Sequence, residues 1–480
     1  MTDVKSRWLA LYVLCLGDLM IVLDSSIVNV ALPSIQSDLG FSQPALAWVV
    51  NAYLLTFGGC LLLSGRLGDL LGTKRVFLGG VAFFTVASIA CGLAPSSELL
   101  VVGRAIQGLG GAAVSAVALA LILGLFTDPA ERAKAMGFFG FVMSGGGAVG
   151  VLLGGVLTGL LSWHWIFLVN VPIGVGVWVA ATRVLPADDA IEQRGRVDVL
   201  GAVLVTAALM LSVYGIVDSA PLLIAGSVVL LAAFVLWESR VTEPLVPLRL
   251  FMLRNVVVSQ VVGVLWAAAM FAWFFLAALY LQQVLGYDAL DVGLAFVPTS
   301  VVMAFCSLRV SDRLVLRFGI RPPLVAGLAL AAASLALFSR APVDGSFATD
   351  VLPSMLLLGA GAGIAFNPVL LAAMGDVEPQ EAGLASGVVN TSFMMGGALG
   401  LAVLVSLSTW RTESLAADGL ARLAALNGGF QLSFAAGAAF ALAAAVIGGT
   451  FLRPKPMAVA AHGGPAADAV PDEEPCPDVA

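Results

Sequence analysis

Long apolar segments, separated by short polar ones, follow one another along almost the whole chain. A helix needs about 20 apolar residues to cross a hydrocarbon core of about 30 Å, and the segments reach that length. Strict alternation of apolar and polar residues, which a membrane β-barrel requires, is absent from them. The pattern therefore predicts an all-α integral membrane protein. We place fourteen membrane-spanning helices at about residues 8–32, 44–64, 75–94, 99–125, 135–161, 164–184, 197–217, 220–237, 257–281, 291–309, 322–339, 350–373, 385–408 and 430–452.

The composition excludes a soluble globular protein. Hydrophobic residues make up 60% of the 480 residues, charged residues make up 11%, and the mean hydropathy is +1.02. A single soluble core could not bury so large an apolar fraction, because burial is limited by the ratio of surface to volume. The expected surroundings are a lipid bilayer, and we expect no nucleic-acid partner.

Basic residues are divided unequally between the two sets of connecting segments. With the amino terminus in the cytoplasm, 19 of the 23 Lys and Arg residues fall on that side and three fall on the other. Cytoplasmic loops of membrane proteins carry such an excess. The segment 374–384 is the exception, since it has no Lys or Arg. Arg outnumbers Lys by 19 to 4, which is typical of a GC-rich bacterial genome. We therefore predict a multi-pass protein of the bacterial inner (plasma) membrane with both termini in the cytoplasm.

The sequence lacks the motifs of the common enzyme classes. It contains no phosphate-binding G-x4-GK[ST] segment and no nucleophile elbow. Its two histidines, His164 and His462, are too far apart in sequence to suggest a metal site, and its five cysteines have no metal-ligand or redox spacing. We therefore expect no catalytic residues, no metal and no cofactor.

Two polar linkers divide the predicted spans. Residues 184–197 follow the sixth span and residues 238–256 precede the ninth, so a pair of spans lies between two groups of six. The end of the chain is rich in Pro, Ala, Asp and Glu, a composition that cannot bury a core. We predict a six-helix bundle in 1–185, a linker with two additional helices in 186–256, a second six-helix bundle in 257–453 and a disordered cytoplasmic tail in 454–480.

A weak internal repeat supports the division into two groups of six. The segment 65–74 (GRLGDLLGTK) follows the second span, and the segment 312–321 (DRLVLRFGIR) follows the tenth. Their Arg, Leu, Gly and final basic positions coincide without a gap, but Leu316 stands where Asp69 does. Repeated halves with a site between them are a common plan for secondary transporters.

Ionisable residues inside two of the predicted spans are the first candidates for a site. Asp24 lies in span 1 and Arg104 lies in span 4, where a charge is costly unless it faces a cavity or a partner. Gln107, one turn beyond Arg104, can share its face. Asp18 is rotated by about 240° from Asp24 on an ideal helix, so we expect the two carboxylates to lie on different faces. Both a functional and a structural role stay open for Asp18.

Four segments resemble one known family. They are 23–33 (LDSSIVNVALP), 65–75 (GRLGDLLGTKR), 104–108 (RAIQG), and the span-5 glycines Gly137, Gly146, Gly150, Gly154 and Gly155 followed by 162–172 (SWHWIFLVNVP). Together they resemble the major facilitator superfamily, and specifically its fourteen-span drug–proton antiporter branch (EmrB/QacA type). Val151 stands where antiporters of this branch carry Pro, and His164 stands between two Trp residues in place of the usual Arg.

The resemblance implies a fold of two pseudo-symmetric six-helix bundles with two inserted helices. It implies export of small organic, drug- or antibiotic-like molecules, driven by protons through alternating access. The oligomeric state stays open from the sequence, with a monomer as one alternative. A coupling and substrate cavity between the bundles is expected to include Asp24, Asn29, Arg104 and Gln107, with Asp24 and Arg104 at similar depth. A cytoplasmic gate is expected to include Gly65, Arg66, Asp69, Gly72, Lys74 and Arg75, with Asp69 capping a helix of the other bundle. The span-5 glycines are expected to allow helices to slide.

Other functions stay open from the sequence alone. Because Val151 replaces the antiporter proline, proton-coupled uptake, or export of an endogenous metabolite, is an alternative to drug efflux. From another class, a membrane-embedded enzyme is disfavoured because no His–Asp or paired-acid cluster lies at a membrane surface. A membrane sensor that transports nothing is harder to exclude on sequence grounds.

Overall fold

The computed structural model describes residues 4–126, 128–186, 198–241, 244, 248–374 and 382–453, and within those ranges the secondary structure is helical, without strands. The α-helices are α1 (Val4–Leu39), α2 (Gln43–Leu46), α3 (Trp48–Leu71), α4 (Thr73–Gly92), α5 (Ser97–Leu125), α6 (Pro129–Leu160), α7 (Trp165–Leu168), α8 (Asn170–Val184), α9 (Val199–Val217), α10 (Pro221–Glu238), α11 (Arg254–Leu279), α12 (Ala289–Phe305), α13 (Asp312–Phe318), α14 (Arg321–Phe338), α15 (Leu352–Met374), α16 (Ala382–Ala417) and α17 (Arg422–Phe451). A 3-10 turn at Leu248–Met252 precedes α11, and π-helical turns at Tyr280–Val284, Cys306–Ser311 and Phe347–Val351 extend α11, α12 and α15.

The predicted all-α membrane architecture is confirmed. In the described part of the chain, thirteen helical segments are long and apolar enough to cross a membrane, and α6 adds a shorter apolar stretch at Val149–Leu160. Each of the fourteen predicted spans overlaps one of these segments. The helices extend beyond the predicted spans at several ends, most of all α1 and α16, because polar residues at the membrane boundary continue the helix without interrupting its backbone hydrogen bonds.

The helices form two bundles with a pair between them. The first bundle contains α1, α3, α4, α5, α6 and α8, and the second contains α11, α12, α14, α15, α16 and α17. The inserted helices α9 and α10 pack on each other, and α9 also contacts α3 of the first bundle and α16 of the second. Helix α6 lies between α1 and α12, so it touches both bundles.

The two repeat segments adopt the same turn. Gly72 follows α3 with φ 100°, and Gly319 follows α13 with φ 79°, a backbone region in which a side chain is strained. The N–H of Gly72 donates to the carbonyl of Gly68 over 3.0 Å, and the N–H of Gly319 donates to the carbonyl of Val315 over 2.8 Å. The matching positions of the turn glycine and of the acceptor support the alignment of the two segments.

Hydrogen bonds between α11 and α1 join the two bundles at the end of the molecule opposite the chain termini. The start of α11 lies near the carboxyl-terminal end of α17, within the second bundle, because Arg254 Nε donates to the carbonyl of Phe451 over 2.9 Å. The other end of α11 approaches α1. There, Gln282 Nε2 donates to the carbonyl of Val30 over 2.9 Å and Gln283 Nε2 donates to Gln36 Oε1 over 2.8 Å. The predicted tail at 454–480 lies outside the described residues.

Candidate functional site

The candidate site lies inside the first bundle, where α1 meets α5. Asp24 is in the middle of α1, and Arg104 and Gln107 are one turn apart near the start of α5. All three side chains are fully buried, with no exposed surface. Because three residues advance a helix by about 300°, Arg104 and Gln107 lie near each other on α5 and meet the same carboxylate.

Asp24 and Arg104 form an ion pair. Arg104 Nη1 donates to Asp24 Oδ2 and, over 2.6 Å, to Gln107 Oε1. Gln107 Nε2 donates in turn to Asp24 Oδ1 over 2.7 Å, so the amide links both partners. The guanidinium is anchored a third time, since its Nε donates to the carbonyl of Val49 on α3 over 2.9 Å. The structure thus brings Asp24, Arg104 and Gln107 into direct contact, and their part in coupling stays a prediction.

Two further residues complete the site, and the sequence interpretation missed both. Asn170, the first residue of α8, donates from Nδ2 to Asp24 Oδ1 over 2.9 Å. Ser88 on α4 accepts a hydrogen bond from Gln107 Nε2 over 2.8 Å. Asn170 belongs to the motif 162–172 and is an amide in an apolar stretch, which could have identified it, whereas nothing in the sequence distinguishes Ser88 from other membrane serines.

Aromatic rings cover the guanidinium. The Tyr53 ring centroid lies 4.3 Å from Arg104 Cζ, and the Phe167 centroid lies 5.6 Å from it. A cation over an aromatic face is stabilised by the ring quadrupole, and more strongly where water is excluded. The pair is therefore enclosed by helices of one bundle in this conformation, and the expectation that it faces a cavity between the bundles stays a prediction.

Asn29, which was expected to line the same cavity, does not join the site. Its Nδ2 donates to the carbonyls of Ser25 and Ser26, each over 3.3 Å, on its own helix. Five residues along a helix correspond to a rotation of about 140°, so the side chains of Asn29 and Asp24 lie on different sides of α1. The structure therefore separates Asn29 from Asp24, Arg104 and Gln107.

Asp18 is a second buried carboxylate on α1. It is 1% exposed, and its Oδ1 accepts a hydrogen bond from Ser115 Oγ on α5 over 2.6 Å. Asp18 and Asp24 start from different angles around α1, yet both bond to α5. Both carboxylates reach α5 because that helix runs beside α1 and because the long side chain of Arg104 extends across to Asp24.

Most of the predicted gate residues lie at the turn between α3 and α4. Arg66 Nη1 and Asp69 Oδ2 form an ion pair within α3 at 3.8 Å, and Asp69 is exposed. Lys74 Nζ donates to the carbonyls of Thr182 and Leu185, over 3.1 and 2.7 Å, at the end of α8. A cation suits that position, because the last carbonyls of a helix carry partial negative charge. Gly65 and Gly72 belong to the same turn region, and Arg75 follows on α4. Among the described residues, no helix of the second bundle is capped by Asp69, and its gating role stays a prediction.

The α6 glycines pack against two neighbours. Gly146, Gly150 and Gly154, spaced by four, face α1, and a Cβ on Gly154 would lie 2.7 Å from the carbonyl of Ile27. Gly155 faces α12 instead, where a Cβ would lie 3.1 Å from Gly293 Cα. Small residues at this spacing allow backbones to approach closely. These four glycines pack closely against α1 and α12, and their role in helix sliding stays a prediction. Gly137 also lies in α6, but its surroundings are outside what the structure describes.

An apolar cavity of about 420 Å³ lies where the inserted pair meets both bundles. Its walls come from α3, α9, α10, α16 and the 3-10 turn before α11, and Thr391 and Ser392 supply its hydroxyl groups. The volume falls in the range of small-molecule sites. Among the described residues, no group of His, Cys, Asp and Glu is arranged to hold a metal ion.

Among the described residues, buried charge is confined to the first bundle and the inserted pair. The buried acidic and basic side chains are Asp18, Asp24 and Arg104 in the first bundle, and Asp198 and Glu238 in the inserted pair. The described residues of the second bundle contribute none. In the part of the chain that the structure describes, the buried charged side chains therefore lie outside the second bundle.

Comparison with known sequences gives consistent matches over most of the chain. The family model described as Major Facilitator Superfamily matches residues 14–401. The puromycin resistance protein pur8 of Streptomyces alboniger is 40% identical over 423 residues, which cover 86% of this chain and 84% of that protein. The cephamycin export protein CmcT of Amycolatopsis lactamdurans is 39% identical, with 85% of this chain and 86% of that protein covered. The tetracenomycin C resistance and export protein of Streptomyces glaucescens is 34% identical, with 86% and 78% covered.

Solved structures share the fold. An auto-inhibited POT family peptide transporter superimposes with a TM-score of 0.68 at 16% identity, covering 96% of this chain and 99% of that one. The inward-open xylose transporter XylE from E. coli superimposes with a TM-score of 0.65 at 14% identity, covering 94% and 98%. At such identities the likeness extends to the fold alone.

Proposed function

This chain belongs to the Major Facilitator Superfamily, and we propose that it is a secondary active transporter that exports small organic molecules by proton-coupled alternating access. The relatives support the direction and the substrate class, because their names describe resistance to, or export of, puromycin, cephamycin and tetracenomycin C. These are small organic antibiotics, and the similarity extends over more than four fifths of this chain. We further propose an inner-membrane protein with cytoplasmic termini that acts as a monomer.

The single observation that carries the proton coupling is the enclosed pair of Asp24 and Arg104. A guanidinium stays charged at all accessible pH values, so Asp24 is the member of the pair that can take up a proton. Protonation removes the charge that balances Arg104 and leaves a buried, uncompensated cation, which is strongly unfavourable. The bundle must then rearrange to give Arg104 water or another acceptor. Proton binding and a change of conformation are thereby linked.

Helix α1 connects this chemistry to the contact between the bundles. Val30, whose carbonyl accepts the hydrogen bond from Gln282, lies six residues beyond Asp24 on the same helix. With the proposed orientation, this bond and the bond from Gln283 to Gln36 close the outer side, as an inward-facing state requires. A movement of α1 that follows protonation of Asp24 would loosen both bonds and favour the opposite state.

Transport in sealed vesicles tests the proposal. The purified protein is reconstituted, a pH gradient of either direction is imposed, and the flux of puromycin, cephamycin, lincomycin and tetracenomycin C is followed. We expect at least one compound to move against the proton flow and to stop when the gradient is collapsed. Movement with the proton flow would show uptake instead. No flux of any compound across verified, sealed vesicles would contradict the proposal.

Two variants test the role of the pair. Asp24→Asn should abolish gradient-driven flux but retain passive exchange, because the amide is neutral, like the protonated acid, and can neither take up nor release a proton. Arg104→Lys should also fail, since one ammonium group cannot replace a planar guanidinium that bonds Asp24, Gln107 and Val49 together. Full coupled transport by Asp24→Asn would exclude this carboxylate as the coupling group.

A further inference from the structure

We propose that Asp18 is a second proton-binding site of the first bundle, that it holds its proton in the described conformation, and that the Tyr53 hydroxyl lies on the proton path between it and Asp24. The inference deepens the proposed function, since it supplies a second proton for the same coupled cycle. It names a role for a buried carboxylate that the pair of Asp24 and Arg104 leaves unexplained.

The surroundings of Asp18 do not balance a negative charge. Its Oδ1 accepts the hydrogen bond from Ser115, but its Oδ2 is buried without a hydrogen-bond partner. No Lys or Arg in the described residues forms an ion pair with it, in contrast to Asp24 with Arg104. A lone carboxylate charge inside a membrane helix bundle is costly. A proton on Oδ2 removes that charge and leaves the bond from Ser115 intact.

The helices around Asp18 bring few other ionisable groups to it. Cys15, about one turn earlier on α1, and Tyr53 on α3 are the titratable neighbours, and Arg104 is the cation of the region. From α4 and α5, the side chains of Phe77 and Val114 pack on Gly17, and from α6 the neighbour of this part of α1 is Gly146. Apart from Arg104, whose ion-pair partner is Asp24, these groups are apolar or neutral, so none of them balances the charge of an ionised Asp18.

Polar side chains lie between Asp18 and the ion pair along one face of α5. Arg104, Gln107, Gly111 and Ser115 recur at three- and four-residue intervals, so they line one side of that helix. Gly111 has no side chain, and a Cβ there would lie 3.2 Å from Tyr53 Oη, so the hydroxyl occupies the gap between Gln107 and Ser115. Tyr53 is 2% exposed, and its hydroxyl has no hydrogen-bond partner among the described residues.

The spacing of the two carboxylates suits such an intermediate. Asp18 and Asp24 are six positions apart on α1, which corresponds to about 9 Å along the helix axis, and their carboxylates bond to different side chains of α5. A phenol hydroxyl both accepts and donates, so it can receive a proton from Asp18 while passing its own proton to Asp24. The transfer leaves Asp18 ionised, Asp24 neutral and Tyr53 unchanged, and no other reactant is consumed. Its direction reverses when Asp24 loses its proton.

Infrared spectroscopy of the purified protein tests the site without any transported compound. At neutral pH we expect a protonated-carboxyl band in the wild type that is lost in Asp18→Asn and retained in Asp24→Asn. Asp38→Asn is the matched control, because Asp38 is an exposed carboxylate on the same helix that accepts a bond from Trp163. Ser115→Ala should shift the band in frequency, and this variant keeps the assignment testable if Asp18→Asn does not fold. A band that is unchanged in Asp18→Asn and in Ser115→Ala would overturn the proposal.

Two kinetic measurements test its use in the cycle. Tyr53→Phe should keep the band but slow its response to a pH jump at least tenfold, and an unchanged response would exclude Tyr53 from the path. In vesicles, Asp18→Asn should lower the number of protons moved per transported molecule about twofold. An unchanged ratio would show that Asp18 holds a proton that does not enter coupling. The infrared measurement requires no transport, so it tests the protonation of Asp18 even when the proposed export is not observed.

Discussion

At the scale of single residues, the site depends on the hydrogen bonds that the buried Asp24 carboxylate accepts. Asp24 receives hydrogen bonds from Arg104, Gln107 and Asn170, which come from two different helices. Each bond to a charged group contributes about 1.5–3 kcal/mol, so the pair stays closed while Asp24 is ionised. Removing a single donor leaves the charge partly unsatisfied and should alter coupling before it unfolds the protein.

The first prediction compares the two asparagines of this region. Asn170→Ala should lower proton-driven flux at least fivefold, because Asp24 Oδ1 loses one of its two donors. Asn29→Ala is the matched control and should retain most of the flux, since the Asn29 amide bonds only to its own helix. Both fluxes are measured in vesicles at equal protein content. A larger loss for Asn29→Ala than for Asn170→Ala would restore Asn29 to the site.

The sequence predicts the charged part of the site better than its neutral part. Asp24 and Arg104 are conspicuous because a charge inside an apolar span needs a partner, and Gln107 follows from helical spacing. The neutral partner Ser88 comes from another helix, and no local pattern reports which helices converge. The sequence could not show that Asn29 lies apart from Asp24, because the residues around Asn29 depend on how α1 is rotated within the bundle.

At the scale of elements, α6 shows how small residues set the distance between helices. Its glycines at four-residue intervals bring α1 into backbone contact, and Gly155 does the same with α12 of the other bundle. Val151, where antiporters of the resembled branch carry Pro, lies in an unbroken helix that contains no internal proline. The spacing of the glycines predicts tight packing, whereas the identity of each partner helix is a property of the tertiary fold.

The second prediction concerns two glycines of this helix. At Gly150 a Cβ would collide with Ser26 Oγ and lie 3.0 Å from the carbonyl of Leu23, so Gly150→Ala should cost about 1–3 kcal/mol and lower the melting temperature. Gly147→Ala is the control, because no atom lies within 4 Å of a Cβ at that position. It should be neutral or slightly stabilising, as alanine favours a helix. Equal melting temperatures for the two variants would contradict the packing described here.

The third prediction concerns the repeated turn. Asp69→Asn should impair transport strongly at normal expression, because we expect the carboxylate to face a helix terminus of the second bundle in the other state of the cycle. Leu316→Ala should be mild, since Leu316 occupies the matching position, is 69% exposed and cannot accept a hydrogen bond. Flux and membrane abundance are measured together. Equal losses from both variants would refute an asymmetric gate.

At the scale of the whole molecule, the order of apolar segments predicts nearly all of the helical architecture. The fourteen spans and the inserted pair follow from segment length and polar linkers, and the structure places α9 between α3 and α16. The length of a segment says nothing about its neighbours, so the enclosure of the ion pair within one bundle could not be predicted. The boundaries 185, 256 and 453 between the parts stay predictions.

The fourth prediction concerns orientation. Reporter fusions after residues 218 and 415 should report the outer side, and a fusion at the carboxyl terminus should report the cytoplasm, because basic residues collect in the segments assigned to that side. The test uses one reporter that is active only outside and one that is active only inside. A cytoplasmic signal from residue 218 would show that α9 and α10 do not both cross the membrane.

The confinement of buried charge to the first bundle and the inserted pair has an evolutionary consequence. Among the described residues, mutations in the membrane core of the second bundle alter shape and polarity without removing a buried charge. If the first bundle carries the proposed proton coupling, the second bundle can diverge by drift or recombination while the coupling residues are preserved. We therefore expect homologous proteins with different substrates to differ more in the core of the second bundle than around Asp24 and Arg104.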